Sequence, residues 1–201
     1  MIKGTKRNRP NEATNITAPF DTFDLAVLGS GPGGYTAAFR AADLGLKVCL
    51  IERYPVLGGV CLNVGCIPSK ALLHAARVIE ETREMRAHGI QFGEPTIDLP
   101  QLGGWKDKVV GQLTGGLSGL AKKRKLTVWH GTGRFASAHE LAVTRPGEDS
   151  EVRVPFRQAV IAAGSQPVTL PDLPDDERIF DSTGALARQN IPPRMRALGG
   201  A

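Results

Sequence analysis

Several residue types that would classify a chain at once are scarce in this one. Aromatic residues make up 5% of it, and its 201 residues include four histidines and three cysteines. No apolar run approaches the roughly 18 residues of a membrane-crossing helix, and none near the start resembles a signal peptide's hydrophobic region. A membrane partner is therefore not expected, and the cytoplasm is the default location. The net charge of +5 invites nucleic acid as a partner. Its only dense cluster, Lys122 to Lys125, falls at the expected end of a helix, where cations complement the negative pole of the helix dipole. No aromatic residues interleave with it, so a solvated face is expected and nucleic acid is not.

What the chain does contain is glycine, 24 in all, more than an ordinary globular profile needs. A basic, Pro- and Asn-containing leader over residues 1–22 lacks apolar periodicity and is expected to be disordered. Beyond it, the sequence "DLAVLGSGPGGYTAAFRAADLGLKVCLIER" sets an apolar run, Leu25 to Leu28, before the glycines Gly29, Gly31 and Gly34. A helix with Ala37, Ala38, Ala41 and Leu44 follows, Gly45 ends it, and a second strand from Val48 to Ile51 finishes at Glu52. This is a G-x-G-x-x-G loop between two strands, with an acid at the spacing of a dinucleotide site. Gly29 suits the tight turn, Gly31 lets the backbone approach a pyrophosphate, and Gly34 lets the helix pack on the strand. Glu52 can accept hydrogen bonds from both hydroxyls of an adenosine ribose. A 2′-phosphate would meet charge repulsion there, so NADP does not suit this loop.

"GGVCLNVGCIPSK", Gly58 to Lys70, follows directly and holds two of the three cysteines. Residues five apart in a regular helix have Cα atoms roughly 8.6 Å apart, whereas a disulfide needs about 4.4–6.8 Å. A bridge between Cys61 and Cys66 would require a distorted turn, which Gly65 makes accessible. So short a loop gives little entropic stabilisation, and strain makes the bond easy to reduce. A redox role is favoured over a staple. Zinc would need two more ligands, and C-x4-C is not its usual spacing, so no metal site is expected. Cys49 reads as a small buried hydrophobe. Pro68 suits the first turn of a helix with a buried stripe of Leu72, Ala76 and Ile79, stopped at Gly89. Lys70, one turn beyond Cys66, could favour a thiolate.

The segments "GSGPGGYTAAFRAADLGLK" and "ERYPVLGGVCLNVGCIPSKALLH" resemble the flavin-binding part of the dihydrolipoyl dehydrogenases, bacterial type. The wider group is the disulfide oxidoreductases, with glutathione and mercuric reductases, which share GG-x-C-x-N-x-G-C-x-P. Leu62, Ile67 and Ser69 fit the dihydrolipoyl branch, and the similarity extends to about Arg194. The resemblance implies an α/β fold, a Rossmann-like FAD-binding domain over residues 23–185 with a parallel sheet and a small antiparallel β-meander. It implies that dihydrolipoamide attacks a Cys61–Cys66 disulfide at Cys61, that Cys66 passes electrons to FAD, and that FAD reduces NAD. It assigns Glu52 to the FAD ribose, and Gly31, Gly33 and Gly34 to the pyrophosphate. Lys70 goes to the isoalloxazine, and Gly133 and Gly164 to the adenine and ribose side. Gly29, Arg53, Gly59 and Val60 complete the cofactor set. Implied partners are lipoyl-bearing 2-oxoacid dehydrogenase complexes or the glycine cleavage system, with a homodimer for the full-length family.

Further along, Leu102, Trp105, Val109, Leu113, Leu117 and Leu120 predict a helix with those residues on its apolar stripe and Trp105 in the core. "LTVWHG", "ELAVT" and "EVRVPF" read as strands of the antiparallel layer, and Val160 to Ala163 as a returning parallel strand. Residues 186–201 read as the start of an NAD-binding domain, with Gly199 and Gly200 where its glycine loop would begin. The expectation is a truncated product that lacks the family's NAD and dimerisation domains and its catalytic His-Glu pair. His74, His88, His130 and His139 are placed on surfaces, and full turnover is not expected. Glutathione or mercuric reductase-like activity and a non-catalytic flavin-binding remnant are the alternatives.

Overall fold

The computed structural model describes residues 21–187 and 190–198. Most of the expected leader, together with Gly199 and Gly200, lies outside them. Strand β1 (Phe23–Leu28) leads through helix α1 (Pro32–Asp43) to β2 (Val48–Glu52). All five residues of β2 are buried, as an interior parallel strand demands. Two helices follow in immediate succession, α2 (Gly59–Val64) and α3 (Cys66–Glu84), then a 3-10 turn over Met85–His88 that ends at Gly89. Helix α4 (Leu99–Lys123) precedes β3 (Thr127–His130), β4 (Thr132–Ser137), β5 (Glu140–Thr144) and β6 (Glu151–Ile161), and α5 (Ser182–Ala187) is last.

The six strands form one sheet in the order β3-β2-β1-β6-β5-β4. β1 lies parallel to β2 and β6, and β2 parallel to β3, while β4, β5 and β6 are antiparallel neighbours. The strand read from "LTVWHG" thus belongs to the parallel part and not to the antiparallel layer. "GTGRF" supplies the layer's outer strand, β4. "EVRVPF" and the returning strand are one element: β6 runs eleven residues and changes partner along its length. Glu151 to Pro155 pair with β5, and Phe156 to Ile161 with β1. Pro155, which has no N–H to donate, falls at the handover.

Alternate residues feed two cores, as the period of a strand requires. Val48 and Leu50 of β2 join Leu25, Val27, Ala38, Leu62, Leu117 and Ala121 on the helical side. Cys49 and Ile51 join Trp129, Leu141, Val143, Val154 and Phe156 on the other.

Two helical faces differ from expectation. In α3 the buried residues are Pro68 and Ala71, Leu72 and Ile79 are half-buried, and Ala76 is exposed. In α4 the buried residues are Thr114, Leu117 and Ala121. Trp105, Leu113 and Leu120 are each at least 40% exposed, so Trp105 is not core. The buried face of α4 combines Leu117, which the apolar stripe includes, with Thr114 and Ala121, which a count of large apolar residues overlooks. None of the described helices is long and apolar enough to cross a membrane.

Candidate dinucleotide and dithiol site

The carboxyl ends of β1, β2, β3 and β6 meet at one edge of the sheet, the position where open α/β sheets bind ligands. Gly29 leaves β1 with φ +98°. Its N–H donates to the Ile51 carbonyl at 2.8 Å, and the Ala162 N–H donates to the Leu28 carbonyl at 2.8 Å. A Cβ on Gly29 would collide with the Ala162 carbonyl, and one on Gly34 with the Gly29 carbonyl. Gly31 and Gly33 differ, for a Cβ on either would meet nothing within 4 Å. Helix α1 begins after Gly31 with Pro32 in its first turn and no side-chain cap. Its first N–H groups have no partner within the helix, and the helix dipole favours an anion there. This open, uncapped end fits a pyrophosphate.

Glu52 is 5% exposed. Its Oε2 accepts from the Ser30 N–H at 2.9 Å and the Ser30 hydroxyl at 2.6 Å, and its Oε1 accepts from the Tyr54 N–H at 2.9 Å. A carboxylate has about four acceptor positions, so about one is left for a further donor such as a ribose hydroxyl. Arg53 is exposed and stacks over the Tyr54 ring at 4.8 Å. His130, level with Glu52 on the adjoining strand, has Nδ1 2.9 Å from the Tyr54 carbonyl. Gly133 packs where a Cβ would meet Leu28 and Ile51 side chains, at 2.7 and 3.2 Å. Gly164 lies beyond β6 with φ +75° and open space around it.

The dithiol segment is locked to this loop. Gly58 and Gly59 have φ +110° and +58°, and a Cβ on Gly59 would lie 2.6 Å from the Gly31 Cα. Only glycine tolerates both the left-handed backbone and that approach. The Asn63 amide donates to the Leu57 and Gly59 carbonyls at 3.2 and 2.9 Å, closing the start of α2. Gly65, at φ −139° and ψ −110°, separates α2 from α3. The distorted turn expected at Gly65 is therefore present. A Cβ there would lie 2.9 Å from the Val60 carbonyl and 3.4 Å from the Cys61 Cα.

Cys61 is half-buried and Cys66 exposed, both as free thiols. A hydrogen bond with the Cys66 side chain, then burial, then the Cys66 charge push the Cys61 thiol above its ordinary value. A backbone hydrogen bond at Cys66 and the Lys70 charge oppose this. Val60 and Lys70 are exposed alongside.

Residues 23–201 match the family model of the pyridine nucleotide-disulphide oxidoreductases. The chain belongs to that family. Its members are FAD-dependent and use NAD. A dihydrolipoyl dehydrogenase of Vibrio parahaemolyticus is 55% identical over 177 residues, covering 88% of this chain and 37% of that protein. One from Bacillus subtilis is 44% identical over 90% of this chain and 38% of its own length. A leghemoglobin reductase of Glycine max is 45% identical over 89% of this chain and 34% of that protein. Among solved structures, the Cu(II) complex of the HOCl-induced flavoprotein disulfide reductase RclA from Escherichia coli aligns with a TM-score of 0.71 at 28% identity. That alignment covers 86% of this chain and 36% of that one. This member of the family thus spans a little over a third of the length of these relatives.

Direct contacts join Gly34 to Gly29, Gly59 to Gly31 and Glu52 to the loop at Ser30, and Cys61 follows Gly59 on α2. Ser30, Gly58 and Asn63 were missed as contributors. Asn63 carried a signal, since asparagine is a poor helix former and its amide suits carbonyl capping. Ser30 carried none.

Proposed function

We propose that residues 23–185 form the FAD-binding, dithiol-bearing domain of a dihydrolipoyl dehydrogenase, and that residues 186–201 open its NAD-binding domain. The observation that supports this reading is the break at Gly65, which parts α2 from α3 between Cys61 and Cys66, while Gly59 at the start of α2 packs on Gly31 of the glycine loop. The 44–55% identity to dihydrolipoyl dehydrogenases supports dihydrolipoamide as substrate over glutathione or mercuric ion.

Bound FAD would take an electron pair from the reduced thiols and deliver it to NAD. The chain's own residues prepare that exchange. The α1 N-terminus, with Gly31, Gly33 and Gly34, receives the pyrophosphate, and Glu52 the ribose. Arg53, Gly133 and Gly164 flank the adenosine half, while Gly59, Val60 and Lys70 face the flavin half. In the oxidised chain a thiolate of dihydrolipoamide bonds to Cys61 Sγ as the Cys61–Cys66 bond breaks, leaving Cys66 as a thiolate. The second substrate thiol bonds to the substrate sulfur held on Cys61 as its proton passes to the departing Cys61 Sγ. The mixed disulfide breaks, cyclic lipoamide leaves, and both cysteines are reduced. In its full-length form the enzyme would act as a cytoplasmic homodimer on lipoyl groups of 2-oxoacid dehydrogenase complexes or the glycine cleavage system.

Two measurements on the 201-residue chain test this. FAD at a hundredfold excess over Kd is expected to raise the Tm by about 5–10 °C. Dihydrolipoamide is expected to reduce the Cys61–Cys66 disulfide faster than glutathione at equal thiol concentration, read by mass spectrometry of the blocked thiols. Absence of FAD stabilisation removes the cofactor assignment, and a preference for glutathione removes the substrate.

A further inference from the structure

Ser30 occupies the variable place between Gly29 and Gly31 and is fully buried. Its backbone N–H and its hydroxyl both donate to Oε2 of Glu52, at 2.9 and 2.6 Å. The shorter distance is that of a charge-assisted O–H···O⁻ bond. On its other side, Gly58 N–H donates to the Ser30 carbonyl at 3.0 Å and lies 3.3 Å from Ser30 Oγ. The Tyr54 N–H takes one position on Oε1 at 2.9 Å. Ser30 therefore fills Oε2, and the acceptor position still open lies on Oε1.

We infer that Ser30 is a positioning residue of the ribose site: by filling Oε2 of Glu52 it fixes the carboxylate so that Oε1 meets a ribose hydroxyl. The inference rests on the reading above that this loop takes an adenosine ribose. A hydroxyl bond to a carboxylate has its full value only when the acceptor is held in place beforehand, since otherwise binding must also order it. The Ser30 hydroxyl is the one side-chain donor among the hydrogen bonds described for Glu52, and so the one a substitution can delete. Ser30→Ala keeps the Ser30 N–H bond to Oε2 and the Gly58 bond to the residue 30 carbonyl, so the loop retains its backbone ties.

The test crosses that substitution with removal of the ligand hydroxyls in the 201-residue chain. ADP and 2′,3′-dideoxyadenosine diphosphate are titrated calorimetrically into both proteins, as probes that carry the ribose and phosphates without the flavin. In the unmodified chain, loss of the hydroxyls is expected to weaken binding about tenfold or more, the range for hydrogen bonds to a charged group. In Ser30→Ala that penalty is expected to fall to about threefold or less, a coupling within the usual span for interacting groups. A merely structural role would weaken both ligands alike and leave the penalty unchanged. An unchanged or larger penalty in the variant overturns the inference while leaving the ribose reading intact. No penalty in the unmodified chain, or no binding of ADP, overturns the ribose reading and the inference with it. Should Ser30→Ala fail to fold, Ser30→Cys, which keeps the volume with only a weak donor, is expected to lose the penalty in the same way, and its retention overturns the inference.

Discussion

Cys49 and Cys61 are the same side chain in two surroundings, and their protons respond accordingly. Cys49 lies fully buried in β2, where burial pushes its thiol from an ordinary 9.0 up to about 12. Its proton is held more tightly in the native than in the unfolded chain. The stability this contributes is complete below the unfolded value and is lost as pH climbs from about 9 toward 12, because the unfolded thiol ionises first. Urea unfolding between pH 8.5 and 10.5 is expected to show the wild type losing about 2 kcal/mol more than Cys49→Ala over that range. Parallel curves would mean that the thiol is not shielded. The part of the site legible at this scale was what repeats a known spacing: the glycines, Glu52, and the two cysteines with a pliable Gly65. A serine inside a glycine loop reads as filler, and nothing in the sequence joins its hydroxyl to an acid 22 residues later. Gly58 and Gly59 could be noticed as a pair, but the reason for the second is the backbone of Gly31, which only the fold brings to it.

Helix α4 shows what periodicity can and cannot supply. Its existence follows from apolar residues at three- and four-residue steps, and Asp98 caps it by accepting from the Gln101 N–H at 2.9 Å. The buried face, though, centres on Thr114, Leu117 and Ala121 and leaves Leu113 outward. Leu117→Ala is expected to cost about 2–4 kcal/mol in chemical denaturation. Leu113→Ala should cost less than about 1, because that side chain is already 45% exposed. Equal losses would mean that α4 presents the face its large residues suggest. The strands carried the same limitation. Apolar runs located them, but no feature of "LTVWHG" reveals that its partner is β2, since partner choice depends on contacts far along the chain. Arg124, which pairs with Asp43 at 2.9 Å and stacks over the Phe39 ring at 5.0 Å, turns part of the basic cluster into a clamp between α4 and α1.

At the scale of the whole molecule, β6 makes one body of what the sequence divides into a nucleotide-binding sheet and a separate meander. Both cores depend on it: Val154 and Phe156 fill one, and Val160 packs against the other. Unfolding is therefore expected to be a single cooperative transition. In Trp105→Phe, fluorescence reports on Trp129 alone, the second of two tryptophans. Its denaturation curve should superimpose on that from far-UV circular dichroism, and two separated midpoints would show that the layers unfold independently.

The place of β6 in the middle of the strand order also shapes how the protein is born. Strand β1 leaves the ribosome well before the neighbour it needs on one side, which begins at Glu151. At bacterial-to-eukaryotic translation speeds, that neighbour follows on the order of ten seconds later. Until then the nascent chain holds β1 with an open edge, a ready template for pairing with another chain. Among the described strands, β6 is the one whose arrival covers that edge.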